Sequence, residues 1–207
     1  MPDDQIQKLT ELFAKFPGVG PRQARRFVYY LIHKESGYLG MLTETIKNIH
    51  HSVLQCSDCK RFYALRREDE KGGVCFLCRD ENKNSSTLLI VEKDADLENI
   101  ERTGAYTGHY FVLGGLIPVL EKEPEKRIRL KYLKSLLERK KEISEIIIAL
   151  TANVDGDHTA EYIKNALSVI LKEKGTRITT LGRGLSTGTE LEYSDSDTLK
   201  NALKNRG

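Results

Sequence analysis

Cys56 with Cys59 and Cys75 with Cys78 are all the thiols of a 207-residue chain, gathered into two Cys-x-x-Cys knuckles with fifteen residues between them. A knuckle bends back so that both sulfurs face one side, and two knuckles at this spacing can set four thiolates tetrahedrally around one Zn²⁺. Four thiolates leave no open position for a catalytic water, so the chemistry expected here is a structural clip. An Fe–S cluster or redox thiols are the alternatives for such a set. Disulfides fit less well. The chain begins MPDDQIQKL, with no basic segment leading into an apolar one, so a reducing cytoplasm is the expected location, where clustered cysteines serve metals more often than bridges. His50 and His51 lie just upstream, but four cysteines already fill a tetrahedral site. The intervening RREDEKGG is polar and turn-rich, a loop tip that the staple would order.

A second constellation is basic. Between Glu11 and Glu35 there is no carboxylate, yet Lys15, Arg22, Arg25, Arg26 and Lys34 fall in that interval. Residues 1–84 carry 14 Lys and Arg against 11 Asp and Glu, whereas residues 85–207 carry 19 of each. The formal net charge of +3 says little; its placement near the start points to a phosphate backbone as partner. A third constellation is acidic: Glu92, then Asp155-Gly156-Asp157. If these three carboxylates met, they could hold Mg²⁺ through oxygen. Turn formation and helix capping explain Asp155 and Asp157 equally well, and Glu92 also reads as a solvated strand end.

The elements that must position these groups follow from apolar spacing. In IQKLTELFAKF, Ile6, Leu9, Leu12, Phe13 and Phe16 mark one face of a helix. PGVGP then stops it at Pro17, reverses through Gly18 and Gly20, and starts a second helix at Pro21. That helix turns Ala24, Phe27, Val28 and Leu31 inward and holds Arg22, Arg25 and Arg26 on another side. A glycine hairpin leading into a helix N-terminus exposes N–H groups toward the positive end of the dipole, a seat for phosphate oxygen. An ordinary helical hairpin with a solvated basic face is the competing reading.

Beyond KNSS the pattern alternates strand and helix. TLLIVE, HYFVLGG, EIIIAL and TRITTL read as buried strands; DADLENIERTG reads as a helix closed by Gly104, and DHTAEYIKNALSVILKEKG as a long helix closed by Gly175. Within EKEPEKRIRLKYLKSLLERKKE, Ile128, Leu133, Leu136 and Leu137 point inward from a solvated helix. Such alternation implies a mostly parallel α/β sheet with helices on both faces, and ligands gather at the carboxyl ends of such strands. No run of about 18 apolar residues is present, so no membrane span is expected.

Taken together, PGVGPRQARRF, the four cysteines, VEKDADLENIERTGAYTGHYFVLGG, DGDHTAEYI and GLSTGTELEYSDSDTL resemble the motifs of the bacterial RecR family, in the same order and over most of the chain. The resemblance implies a helix-hairpin-helix over residues 1–54, a four-cysteine zinc module over 55–84, a Toprim domain over 85–183, and a C-terminal loop and helix over 184–207 that contributes to oligomer contact. It implies sequence-independent DNA contact at Arg22 and Arg26, to which the reading of the hairpin adds Arg25, Gly18 and Gly20, and it agrees with one structural Zn²⁺. A homo-oligomer, either dimer or tetrameric ring, is implied too. So is action with a RecO-like, or RecF-like, protein to help RecA load onto gapped DNA coated by single-strand-binding protein. No catalysis is expected. Asp155-Gly156-Asp157 departs from the family's usual Glu-x-Glu toward the pattern of catalytic Toprim domains, so the competing reading is a Mg²⁺-dependent nuclease or primase-like enzyme. Because no motif supplies a nucleophile or a stabiliser of the leaving oxygen, Mg²⁺ binding at Glu92, Asp155 and Asp157 is expected to be weak or absent, with the acids docking a partner. LIPVLEKEPEKRIRL also departs from the family's usual segment after Gly114-Gly115.

Overall fold

The computed structural model describes residues 4–65, 73–185, 188 and 190–204, and these fall into two units, divided between Val53 and Leu54. The RREDEKGG loop lies outside the described residues except for Gly73, as do three positions of GLSTGTELEYSDSDTL.

The first unit is helical. Asp4 caps α1 (Gln5–Phe13), its carboxylate accepting from the backbone N–H groups of Ile6 and Gln7 at 3.0 and 3.3 Å. α1 ends four residues before Pro17, earlier than the proline alone would require. The chain turns through Gly18, whose φ of +75° favours a residue without Cβ. It enters α2 (Pro21–Ile32) with Pro21 in the first turn, where no N–H is needed. Ala24 and Val28 are fully buried, and Phe13 meets Phe27 edge-on at 5.9 Å. α1 faces α2 through buried Thr10 and half-buried Phe13 and Ala14, while Ile6, Leu9, Leu12 and Phe16 of the expected apolar face remain exposed. α3 (Ser36–Ser52) follows and buries no residue.

At the start of the second unit, β1 (Val53–Gln55), whose first residue closes the first unit, and β2 (Phe62–Ala64) form a hairpin that carries the first knuckle, and α4 (Phe76–Arg79) carries the end of the second. Then come β3 (Asn84–Val91), α5 (Asp94–Thr103), β4 (Gly108–Val112), α6 (Pro124–Arg127), α7 (Leu130–Arg139), β5 (Glu145–Ala149), α8 (Val154–Lys174), β6 (Arg177–Thr180) and α9 (Ser196–Lys204). The main sheet runs β4-β3-β5-β6, and every pairing is parallel.

Both sheet faces are covered, which is why its strands read as unbroken apolar runs. Leu88, Ile90, Ile146 and Ile148 pack with Leu133, Leu136 and Leu137 of α7 and with Ile163 and Leu167 of α8. Leu89, Val91, Tyr110 and Val112 turn the other way, onto Leu97 of α5 and onto Cys56, Cys59, Tyr63, Cys75 and Leu77. The cysteine module therefore shares a core with the sheet. Gly104 and Gly175 close α5 and α8 in the left-handed conformation, as expected. α8 starts earlier than the sequence suggests: Asn153 caps it, and Asp155 and Asp157 lie in its first turn.

Candidate functional site

The four cysteine sulfurs lie within 4.8 Å of one another, and among the described residues they are the one group of three or more metal-type ligands so placed. Sγ of Cys56 is 3.8 Å from that of Cys78, and Sγ of Cys59 is 3.6 Å from that of Cys75, with no disulfide between them. Tetrahedral Zn–S bonds of about 2.3 Å imply sulfurs about 3.8 Å apart, so this set fits the ion. Without one, the thiols compete for protons: hydrogen bonding with Cys59 holds Cys56 low, and the same pairing pushes Cys59 up. A divalent cation held by these four residues would remove that conflict, since all four would then serve as thiolates. The backbone prepares the cup. Lys60 takes a φ of +62° just after the first knuckle, and the Cys75 N–H donates to the Cys56 sulfur at 3.3 Å. His50 and His51 lie exposed in the last turn of α3.

Around this cup, residues far apart in sequence tie the first knuckle down. The Val112 N–H donates to the Cys59 carbonyl at 2.8 Å. Arg129 Nη1 donates to the carbonyls of Lys60 and Val112 at 3.0 and 3.2 Å. Arg139 pairs with Asp58 at 3.0 Å, and the Lys60 ammonium sits 4.2 Å from the Tyr132 ring. Nothing in the local sequence announces these positioning residues.

Glu92, Asp155 and Asp157 each find a separate partner. Glu92 accepts from the Thr151 hydroxyl. Asp155 accepts from the Val119 N–H at 3.3 Å, tying the start of α8 to the segment after β4. Asp157 is held by the Arg183 guanidinium, whose proton affinity that contact raises. The three therefore do not form a ligand group of the kind that the cysteines form. Arg183 lies 26 residues from Asp157, a separation that no local motif bridges. Gly156, between the two aspartates, is held tightly: a Cβ there would lie 1.9 Å from the Thr151 carbonyl oxygen.

On α2, Arg22, Arg25 and Arg26 are all exposed, opposite buried Ala24 and Val28. Among the described residues no carboxylate engages any of the three; Arg26 meets the Gln23 side-chain amide at 3.3 Å. Gly20 caps the helix with no side chain over its first N–H groups. An anion approaching this end meets open backbone donors and three guanidinium groups.

Three family models match the chain in order: "RecR, helix-hairpin-helix" over residues 6–50, "Toprim domain" over 86–182, and "RecR, C-terminal" over 184–206. Proteins named "Recombination protein RecR" align along nearly all of it. One from Cereibacter sphaeroides is 36% identical over 201 residues, covering 97% of this chain and 95% of its own length. One from Methylocella silvestris is 37% identical over 204 residues, covering 98% and 94%. One from Prochlorococcus marinus is 37% identical over 204 residues, covering 97% and 94%.

Proposed function

Because the chain belongs to the RecR family of recombination proteins, we propose that it is a DNA-binding mediator of recombinational repair that catalyses no reaction of its own. The hairpin of α1 and α2 grips the DNA backbone without reading bases, through Gly18, Gly20, Arg22, Arg25 and Arg26. One Zn²⁺ on Cys56, Cys59, Cys75 and Cys78 stiffens the module joined to the sheet. The acidic end of the sheet, Glu92, Asp155 and Asp157, docks a basic surface of a RecO-like or RecF-like protein, and the assembly helps RecA load onto gapped DNA coated by single-strand-binding protein. The chain works as a homo-oligomer in the cytoplasm. In support of the oligomer, Ile6, Leu9 and Leu12 of α1, Phe16 just after it, and Met41, Ile46 and Ile49 of α3 are exposed apolar residues on one helical unit, more than scattered surface hydrophobics require. No described helix is long and apolar enough to cross a membrane.

The observation that carries this reading is the acid-free arginine face at the hairpin, in a chain whose relatives are named for recombination. The separate partners of Glu92, Asp155 and Asp157 favour it over the Mg²⁺-dependent nuclease or primase-like enzyme, which needs carboxylates converging on one cation. The test is size-exclusion chromatography with light scattering, run with gapped DNA and a RecO-like protein. A ternary complex of intact DNA is expected. Cleavage in Mg²⁺ or Mn²⁺ that disappears in both Glu92→Ala and Asp157→Ala overturns the reading in favour of the nuclease.

A further inference from the structure

The arginine face of α2 continues past Arg26 into a surface of different chemistry. Tyr29 and Tyr30 are 49% and 52% exposed, although large aromatic side chains are normally covered. With Arg26, His33 and Lys34 they line a shallow depression of about 400 Å³. Its neighbours already contact the Tyr30 ring and the Tyr29 backbone. The Lys34 ammonium sits 4.4 Å from the centre of the Tyr30 ring, Tyr38 meets that ring edge-on at 6.4 Å, and His33 Nδ1 lies 2.7 Å from the Tyr29 carbonyl. Relative to Arg22, positions 26, 29, 30 and 33 fall at helical spacings that keep them on one side, away from buried Ala24 and Val28. No acidic residue occurs in α2.

We propose that this face of α2 is a platform for single-stranded DNA, with Tyr29 and Tyr30 stacking on unpaired bases while Arg26 and Lys34 hold the adjoining phosphates. The inference rests on the hairpin being a backbone grip and adds the kind of DNA it prefers. Two features select the occupant. Cations without a single carboxylate along the helix suit a polyanion better than a protein surface of mixed charge. The exposed Tyr29 ring and the part of Tyr30 that Lys34 leaves open gain little from a duplex, whose bases are already stacked on one another, but an unpaired base offers a free π-face of any sequence. Arginine alone would serve both forms of DNA; tyrosine beside it favours the unpaired one.

The experiment is fluorescence anisotropy of the full-length protein with labelled oligothymidine, the same backbone carrying abasic sugars, and a duplex. Tyr29→Leu/Tyr30→Leu keeps apolar bulk but removes the rings; Tyr29→Phe/Tyr30→Phe keeps the rings. The Leu variant is expected to lose about fivefold or more on oligothymidine and to match wild type on the duplex. The Phe variant should bind as wild type, and wild type should bind the abasic strand as weakly as the Leu variant binds oligothymidine. An unchanged Leu variant, or an abasic strand bound as tightly as oligothymidine, overturns the inference. So does a Leu variant of altered mass by light scattering, because the tyrosines would then cover a subunit contact. Arg22→Ala/Arg26→Ala separates the two claims. If it leaves all binding unchanged, the backbone grip falls and this inference with it; if it weakens all binding while the Leu variant is unchanged, this inference falls alone.

Discussion

Gly18, Gly20 and Gly156 show that three glycines in motifs can hold their places for different reasons. Gly18 takes a φ of +75°, whereas Gly20 has an ordinary extended backbone and open space where a Cβ would point. Gly18→Ala should therefore lower stability by roughly 1–2 kcal/mol, and Gly20→Ala by much less, as urea midpoints would show. At Gly156 the obstacle is the Thr151 carbonyl, part of the backbone that turns into α8. Gly156→Ala should cost at least the roughly 1–3 kcal/mol of an overpacked site. Arg22→Ala/Arg26→Ala should weaken DNA binding about equally for all sequences and flatten its salt dependence by about one unit per lost phosphate contact; titrations at several salt concentrations measure both. At this scale the clustering of the four cysteines and the exposure of the arginines were legible because both follow from local spacings, knuckle to knuckle and around one helix. The acidic set was not. Whether Asp155 and Asp157 point together depends on Val119 and Arg183, brought in from 36 and 26 residues away.

Among the elements, the strands were the most readable, since a sheet covered on both faces draws apolar residues to both sides of its central strands; Leu88, Leu89, Ile90 and Val91 of β3 are all buried, and β4 is buried throughout, His109 included. Helices that meet few neighbours were the least. α3 carries Leu39, Leu42, Ile46 and Ile49 at helical spacing yet buries nothing, and α1 shows an apolar stripe wider than α2 can cover. The knuckles behave as part of the sheet's second core, with Cys56, Cys59 and Cys75 buried among Leu89, Leu97 and Val112. Cys56→Ser or Cys78→Ser should therefore lower the thermal midpoint and solubility of the whole second unit, because the free energy of binding a metal here would be part of its folding free energy. Elemental analysis should give one zinc per chain in wild type and less in the variants. His109, buried on β4, adds a dependence on acid. Burial lowers its pKa, Lys140 and Lys83 add to that, and Glu142 and Asp58 oppose it. The unfolded chain takes up this proton near pH 6.5 and the folded chain only at lower pH, so the contribution to stability is full above about 6.5 and declines as the pH falls through it. His109→Phe should lose less thermal midpoint than wild type between about pH 7 and about pH 5.

For the molecule as a whole, the exposed apolar residues of α1 and α3 predict self-association. Light scattering should give a mass of at least twice the 23.5 kDa chain, and Leu9→Lys/Ile46→Lys should reduce it while leaving the second unit's metal content unchanged. Another whole-molecule property follows from the knuckle's grip on β4. In a four-stranded sheet β4 is an outermost strand, and outermost strands present unpaired backbone groups that can recruit further strands. The Val112 N–H is taken by the Cys59 carbonyl and the Val112 carbonyl by Arg129, so at this residue the cysteine module and Arg129 together hold the groups that a further strand would pair with. Demetallation would then uncover a buried apolar strand with its outer hydrogen-bonding groups vacant, the signature of an aggregation template. Chelated protein should accordingly precipitate as β-rich aggregates faster than its loss of fold alone accounts for, and a charged substitution at the rim of β4 should slow the process without restoring the metal.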